Sequence, residues 1–229
     1  MIDLDRLPVI TRRWWVLGHI VLFPLIRGAK RLRVRGAEHV PRDGPVLIVC
    51  NHVSEWDPPT VGWAARPRKS QYMAKIELFQ VPVLRRIVYR MGAFPVTRGG
   101  ADRRAMRMAR EVLRGGGVLL MVPEGTRARE GRLRPGFPGA GALGLEAGVT
   151  TVPAAIWGSQ RRFGPARVVF GPPIDLSDLD DGPRGRRAQA AVDRMMAAIA
   201  GLLPAAGGPA QDPPGHLEAA EAPPEPVDG

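Results

Sequence analysis

Short apolar runs alternate with helical patterns along most of the chain. A run rich in β-branched residues predicts a buried strand, because a strand covered on both faces is apolar at every position. The clearest such runs are residues 45–50, 118–122 and 149–156. Shorter strand candidates lie at residues 31–34, 71–74, 92–96 and 168–170.

Between these runs, apolar residues recur at spacings of three and four, which predicts helices. The helix candidates are residues 60–65, 83–91, 102–113, 139–146 and 188–203. Strands that alternate with helices predict an α/β fold with a mainly parallel sheet and helices on both faces. Ligands of such sheets bind beyond the carboxyl ends of the strands.

The two ends of the chain differ from this central domain, which we place at residues 31–203. Residues 14–26 are mostly apolar but too few to span a bilayer, which needs about 20. Two tryptophans and basic flanks predict that residues 1–30 carry an amphipathic helix at the membrane interface; the alternative is a buried first helix. Residues 204–229 hold seven prolines and five acidic residues and predict a disordered tail.

Composition narrows the possible partners. The 229 residues carry a net charge of +11; the last 29 carry −5, which leaves +16 on the first 200. A body this basic favours nucleic acid, an anionic membrane surface or phosphorylated substrates. The aromatic residues are few and not interleaved with basic ones, which disfavours a nucleic-acid stacking platform. The single cysteine, Cys50, excludes an intramolecular disulfide and a cysteine-based metal site.

A histidine and an aspartate follow the first buried strand. Asp57 lies five residues after His52, and its carboxylate can fix one ring nitrogen of the histidine while the other acts as a base. Positions five apart are about 140° apart on a regular helix, so the pair needs a helix start or an irregular turn. The alternative is a structural histidine with a capping aspartate. Cys50 is a further candidate nucleophile, although a packed core thiol is its simpler interpretation.

Three more clusters follow later strands. Arg98 comes after the strand at 92–96 and offers a planar guanidinium to a phosphate, unless it is only a solvated surface residue. Residues 152–158 are apolar, and support of the sheet is their simplest role. After the strand at 118–122 come a carboxylate, a glycine, a hydroxyl and a guanidinium, which suit a hydroxyl-and-phosphate site or a turn with an internal Glu–Arg pair: Glu124, Gly125, Thr126 and Arg127.

The order and spacing of these four clusters resemble the glycerolipid acyltransferase family, of the bacterial 1-acyl-sn-glycerol-3-phosphate acyltransferase type. The family block N-H-x4-D is present as Asn51, His52 and Asp57. The blocks G-x5-R, P-E-G-T-R and V-P-x-x-I-x-G are present at residues 92–98, 123–127 and 152–158. The resemblance covers about residues 31–175 and includes Lys75 and Arg134, where the family more often has a lysine in place of Arg134.

The resemblance implies a mechanism. His52 removes a proton from the acceptor hydroxyl, Asp57 orients His52, and the alkoxide attacks the thioester of acyl-CoA or acyl-carrier protein. The acceptor it implies is 1-acyl-glycerol 3-phosphate, giving phosphatidic acid, with no metal and no cofactor besides the acyl donor. The implied substrate-binding residues are Lys75, Arg98, Glu124, Gly125, Thr126, Arg127 and Arg134.

The same resemblance implies a peripheral or monotopic protein on the cytoplasmic face of the cell membrane, with an anionic lipid surface and no nucleic acid as its partner. Two alternatives stay open at this point. One is the same chemistry on glycerol 3-phosphate, a lyso-aminolipid or a glycolipid. The other is a non-catalytic basic protein that binds membranes or nucleic acid.

Overall fold

A seven-stranded sheet forms the centre of the computed structural model, which describes residues 6–8, 10–17, 31–97, 102–128, 131–161, 164–179 and 182–215. The strands are β1 (Arg33–Arg35), β2 (Val46–Cys50), β3 (Ser70–Lys75), β4 (Ala93–Val96), β5 (Val118–Met121), β6 (Thr150–Trp157) and β7 (Arg167–Phe170). Their order in the sheet is β1-β7-β6-β2-β5-β3-β4. The β6–β7 pair is antiparallel and the other five pairs are parallel, which confirms the predicted mainly parallel sheet.

Helices cover both faces of this sheet. In the described ranges they are α1 (Arg12–Leu17), α2 (Asp57–Ala64), α3 (Pro82–Arg90), α4 (Arg103–Arg114), α5 (Pro138–Gly144) and α6 (Arg184–Ala206). Alternate side chains of β2 enter two separate cores, as the period of a strand requires. Ile48 and Cys50 pack with α2 and α3, whereas Leu47 and Val49 pack with α4, α5 and α6.

The predicted elements of the central domain are present with bounds shifted by up to four residues, and two of these shifts bear on the site and on the tail. Helix α2 begins at Asp57, three residues before the predicted start, because the prolines that follow are tolerated in a first turn, where backbone N–H groups have no helical partner. Helix α6 runs to Ala206, so the domain boundary predicted at residue 203 falls inside a helix. Beyond this helix the Gln211 side chain accepts a hydrogen bond from the Leu133 amide and donates one to the Gly131 carbonyl. The predicted disordered tail therefore starts too early; residues 216–229 lie outside the described residues.

The described part of the N-terminal segment lies against the β3–β4 margin of the sheet. The Gln71 side chain donates to the carbonyl of Pro8 at 3.0 Å, and the Arg90 guanidinium stacks 4.7 Å from the ring centroid of Trp14 in α1. Residues 18–30, which include most of the predicted interfacial segment, lie outside the described residues. Among the described helices, none is both long enough and apolar enough to cross a membrane.

Candidate active site

His52 and Asp57 form a buried pair just beyond the carboxyl end of β2. The Nδ1 atom of His52 lies 3.1 Å from Oδ2 of Asp57, which is the first residue of α2. The same carboxylate oxygen accepts hydrogen bonds of 2.6 Å from the amides of Val53 and Ser54. A carboxylate with these donors is an acceptor, so the ring donates through Nδ1 and keeps the Nε2 lone pair free. The predicted pairing of His52 with Asp57 is present, and it leaves Nε2 able to accept a proton at the sheet edge.

Glu124 connects this histidine to a second loop. Its side chain is 1% exposed at the end of β5; Oε1 accepts from the His52 amide at 3.2 Å and Oε2 from the Arg134 amide at 2.9 Å. Burial raises the pKa of Glu124 to about 7, although these two amide hydrogen bonds act in the opposite direction. The Ala128 amide donates to the His52 carbonyl at 2.7 Å. The backbone of His52 is thus held on both sides by the segment that follows β5.

Asn51, the residue before His52, is also held by a neighbouring segment of the sheet. Sequence reasoning missed this role. The side-chain nitrogen of Asn51 donates to the carbonyl of Ile156 at 3.0 Å, and its side-chain oxygen accepts from the Ile156 amide at 2.8 Å. Asn51 is 1% exposed, so these two hydrogen bonds replace hydrogen bonds that its side chain would otherwise make to water. The sequence signal was an asparagine directly after a fully apolar strand. The partner strand, β6, contains residues of the apolar cluster at 152–158, for which support of the sheet is the simplest role.

Three of the four basic residues expected to bind phosphate lie at the same edge of the sheet. Lys75 ends β3, and exposed Arg127 and Arg134 follow β5, the neighbour of β3. Arg98 lies outside the described residues. Among the described side chains, the Arg127 guanidinium pairs at 3.5 Å with Glu55, so the alternative of an internal Glu124–Arg127 pair is not found.

Gly125 shapes the turn that joins Glu124 to Arg127. Its φ of +65° lies in the left-handed region, and a Cβ at this position would come within 2.8 Å of the Phe137 ring. Thr126 follows as a half-buried residue of the same turn. The turn therefore brings a hydroxyl and a guanidinium close to the buried Glu124.

Cys50 is excluded as a nucleophile by its surroundings. Its side chain is fully buried, and burial raises the pKa of the thiol. A buried neutral thiol supplies no thiolate to attack a thioester. Cys50 is a core residue on the α2 side of β2.

A family model described as acyltransferase matches residues 31–157, a span that includes the His52–Asp57 pair and the loop of Glu124. The chain belongs to this acyltransferase family. The acyltransferase is therefore an enzyme, and the alternative of a non-catalytic basic protein is not supported. The predicted family is confirmed by this match and by the relatives below.

The names of the curated relatives state two kinds of acyl acceptor. The 1-acyl-sn-glycerol-3-phosphate acyltransferase of Bacillus subtilis is 27% identical over 169 residues, which cover 72% of this chain and 84% of that enzyme. The lyso-ornithine lipid O-acyltransferase of Pseudomonas aeruginosa is 34% identical over 154 residues, 66% of this chain and 54% of that enzyme. This chain therefore matches about half the length of the second relative.

A solved structure confirms the fold. The 1-acyl-sn-glycerophosphate (LPA) acyltransferase PlsC from Thermotoga maritima aligns with a TM-score of 0.59 at 23% identity, over 81% of this chain and 82% of that one. The likeness extends beyond the residues of the family model. The likeness therefore supports the α/β fold described above.

Proposed function

We propose that the acyltransferase transfers a fatty acyl group from acyl-CoA or acyl-carrier protein to the free hydroxyl of 1-acyl-glycerol 3-phosphate, giving phosphatidic acid. The observation that carries the proposal is the 3.1 Å contact between His52 Nδ1 and Asp57 Oδ2 at the carboxyl end of β2. It leaves Nε2 as the only ring nitrogen able to accept a proton. The Bacillus subtilis relative, matched over 84% of its length, supports the choice of acceptor.

The proposed reaction is a direct transfer. Nε2 of His52 accepts the proton of the acceptor hydroxyl as its oxygen attacks the thioester carbonyl. The C–S bond then breaks, and the departing thiolate takes the proton from His52. Asp57 stabilises the imidazolium between these steps, since its carboxylate already accepts from Nδ1. The buried thiol of Cys50 takes no part.

We assign phosphate recognition to four basic side chains. Lys75, Arg127 and Arg134 reach the carboxyl edge from β3 and from the segment after β5, and we assign Arg98 to the same task. Guanidinium groups suit phosphate because they donate two parallel hydrogen bonds. We assign Glu124, Gly125 and Thr126 to shaping the loop that receives the glycerol end.

A lysolipid acceptor lies in a bilayer, so we also propose that the enzyme acts at the cytoplasmic membrane surface as a peripheral or monotopic protein. Its charge of +11 favours anionic lipid. The N-terminal segment, of which α1 is the described helix, is the proposed first contact with the headgroups.

The test is an acceptor panel with labelled acyl-CoA and acyl-carrier protein. We expect acylation of 1-acyl-glycerol 3-phosphate, and a loss of about 10²–10⁴-fold in kcat for His52→Ala and Asp57→Asn, the usual contribution of general-base catalysis. His39→Gln is the matched control, because His39 contacts the Phe170 carbonyl instead of the Asp57 carboxylate. Unchanged turnover in His52→Ala would remove the assigned base. Equal activity on a phosphate-free acceptor would remove the assigned substrate.

One observation favours a second acceptor, a zwitterionic lyso-aminolipid. The Glu55 carboxylate lies 3.5 Å from Arg127, and both side chains are about half exposed, so the edge offers a cation and an anion together. An ammonium and a carboxylate on one headgroup would match this pair, and the 34% identical relative carries a lyso-ornithine lipid in its name.

The Glu55→Gln variant separates the two acceptors. On a phosphate acceptor the variant should lower KM, because Glu55 no longer competes for Arg127; on a lyso-aminolipid it should raise KM. Glu111→Gln, an exposed glutamate on α4, is the control for the lost charge. A lower KM for phosphate with no turnover of the aminolipid excludes the second candidate.

A further inference from the structure

Helix α3 exposes large apolar side chains to solvent. Val83 is 69% exposed and Ile87 is 42% exposed, and Val81, just before the helix, is 52% exposed. Val83 and Ile87 are four residues apart and therefore lie on one face. The other face packs into the core through Val88 and Tyr89. The helix therefore presents apolar side chains to solvent as well as to the core.

The charges of α3 indicate what covers this face. The helix contains Arg85, Arg86 and Arg90 and has no acidic residue. Arg86 is exposed beside the apolar stripe. An anionic bilayer matches both the apolar patch and the positive charge around it. The apolar side chains insert below the headgroups, and the arginines bind the lipid phosphates. A typical protein partner would gain little from such uniform positive charge.

The patch is continuous with α1 and leads to the catalytic edge. Arg90 stacks on Trp14 of α1, a helix whose Val16 and Leu17 are also exposed. In the other direction, α3 begins only a short 3-10 turn after Lys75, at the carboxyl end of β3. Two further exposed aromatic residues stand at that same edge, Trp56 and Phe137.

We propose that Val81, Val83 and Ile87 form a lipid-docking surface that belongs to the catalytic domain itself and inserts into anionic bilayers with Arg86 at the headgroups. This surface belongs to the sheet domain and adjoins α1 of the N-terminal segment through the Arg90–Trp14 contact. It holds the edge that carries His52 against the membrane, so an acceptor hydroxyl meets the base without leaving the lipid layer. The docking does not depend on the proposed reaction; only its role in presenting the acceptor rests on the proposed function.

The experiment measures flotation of the full chain with vesicles of phosphatidylglycerol and phosphatidylcholine, without any acyl donor. Val83→Ser with Ile87→Ser should weaken binding at least about tenfold, because two apolar side chains are lost from the lipid contact. The conservative pair Val83→Leu with Ile87→Met should bind like the parent chain. Unchanged thermal unfolding of each variant shows that the fold is retained.

A charge pair completes the test. Arg86→Glu should weaken binding to anionic vesicles about tenfold and leave binding to neutral vesicles unchanged. Arg186→Glu makes the same change in net charge on α6, which covers the opposite face of the sheet, and should stay within about twofold of the parent. Equal losses in both variants would mean that overall charge, and not this surface, drives binding.

Vesicle binding of the serine pair equal to that of the parent chain overturns the proposal. A lower unfolding temperature together with that unchanged binding means that the chain itself covers the face. Dissociation of a dimer together with that unchanged binding means that a second copy covers it. The proposed function fails separately. His52→Ala should bind vesicles fully, and absent acyl transfer in a parent chain that docks normally would refute the reaction and leave the docking surface standing.

Discussion

Glu124 connects two loops of the candidate active site, and its replacement by glutamine tests whether that connection needs a carboxylate. Each carboxylate oxygen accepts one amide hydrogen bond, from His52 and from Arg134. Glutamine has one acceptor oxygen, and its NH2 group would face the other backbone N–H. One buried amide then lacks an acceptor, which costs about 1–3 kcal/mol.

The pH dependence of this effect has a definite sign. The folded-state pKa of Glu124 is about 7, above its ordinary value of 4.5, because burial penalises the charge. The folded protein therefore binds this proton more tightly than the unfolded chain, and its stability falls as pH rises from about 4.5 to 7. The full change is about 3 kcal/mol for a pKa raised by that amount. Activity should move the other way, because the ionised group accepts from both amides.

The assay is denaturant unfolding of the parent and Glu124→Gln at pH 5 and pH 8, with kcat measured at the same values. We expect the parent to lose stability with pH and the variant to lose about 3 kcal/mol less, since glutamine does not titrate. The parent should also gain activity between these values, whereas the variant should be weakly active at both. His52 is present in both proteins, so their difference isolates Glu124. Parallel stability profiles would show that Glu124 does not bind this proton in the folded protein, and a fully active glutamine variant would show that the connection does not need a carboxylate.

Three further substitutions test other contacts. Asn51→Leu should destabilise the fold by about 2–5 kcal/mol in urea unfolding, because the Ile156 amide and carbonyl both lose their buried partner; a loss below 1 kcal/mol would contradict this. Arg68→Met should cost about 1–3 kcal/mol without changing kcat, since Arg68 binds three backbone carbonyls at the amino ends of the strands; reduced kcat in fully folded protein would place it in the site. Gly125→Ala should lower both stability, by about 1–2 kcal/mol, and kcat, because the left-handed turn is strained and the Phe137 ring must move; wild-type kinetics would show that the turn is adaptable.

The sequence predicted the elements better than their arrangement. Strand β5 was visible because a strand buried on both faces is apolar throughout, and α4 because its apolar residues recur at helical spacing. The reversal of β7 and the central place of β2 depend on contacts between distant residues, which leave no periodic signal. The helix predicted from residue 60 begins at Asp57, because a first turn accepts the prolines at positions 58 and 59.

In the candidate site, too, some features could be predicted from the sequence and others could not. The residue types and spacing indicated His52 and Asp57, because a base and its orienting carboxylate lie in one short segment. The role of Glu124 could not be predicted, since its partners are backbone amides, which every residue has. The same holds for Asn51, whose partner is 105 residues away in the chain.

The anchoring of His52 by the central strands has a consequence for how such enzymes diversify. Its neighbour Asn51 is bonded to β6, its own backbone is bonded to the loop after β5, and its ring is oriented by the start of α2. The lipid-facing helix α3 lies instead between β3 and β4, at the margin of the sheet. A chimera that exchanges residues 76–91 with a relative should therefore acquire that relative's preference for bilayer composition and keep its own catalytic constants on a dispersed acceptor. Adaptation to a new membrane and preservation of the chemistry are then separable evolutionary events in this acyltransferase.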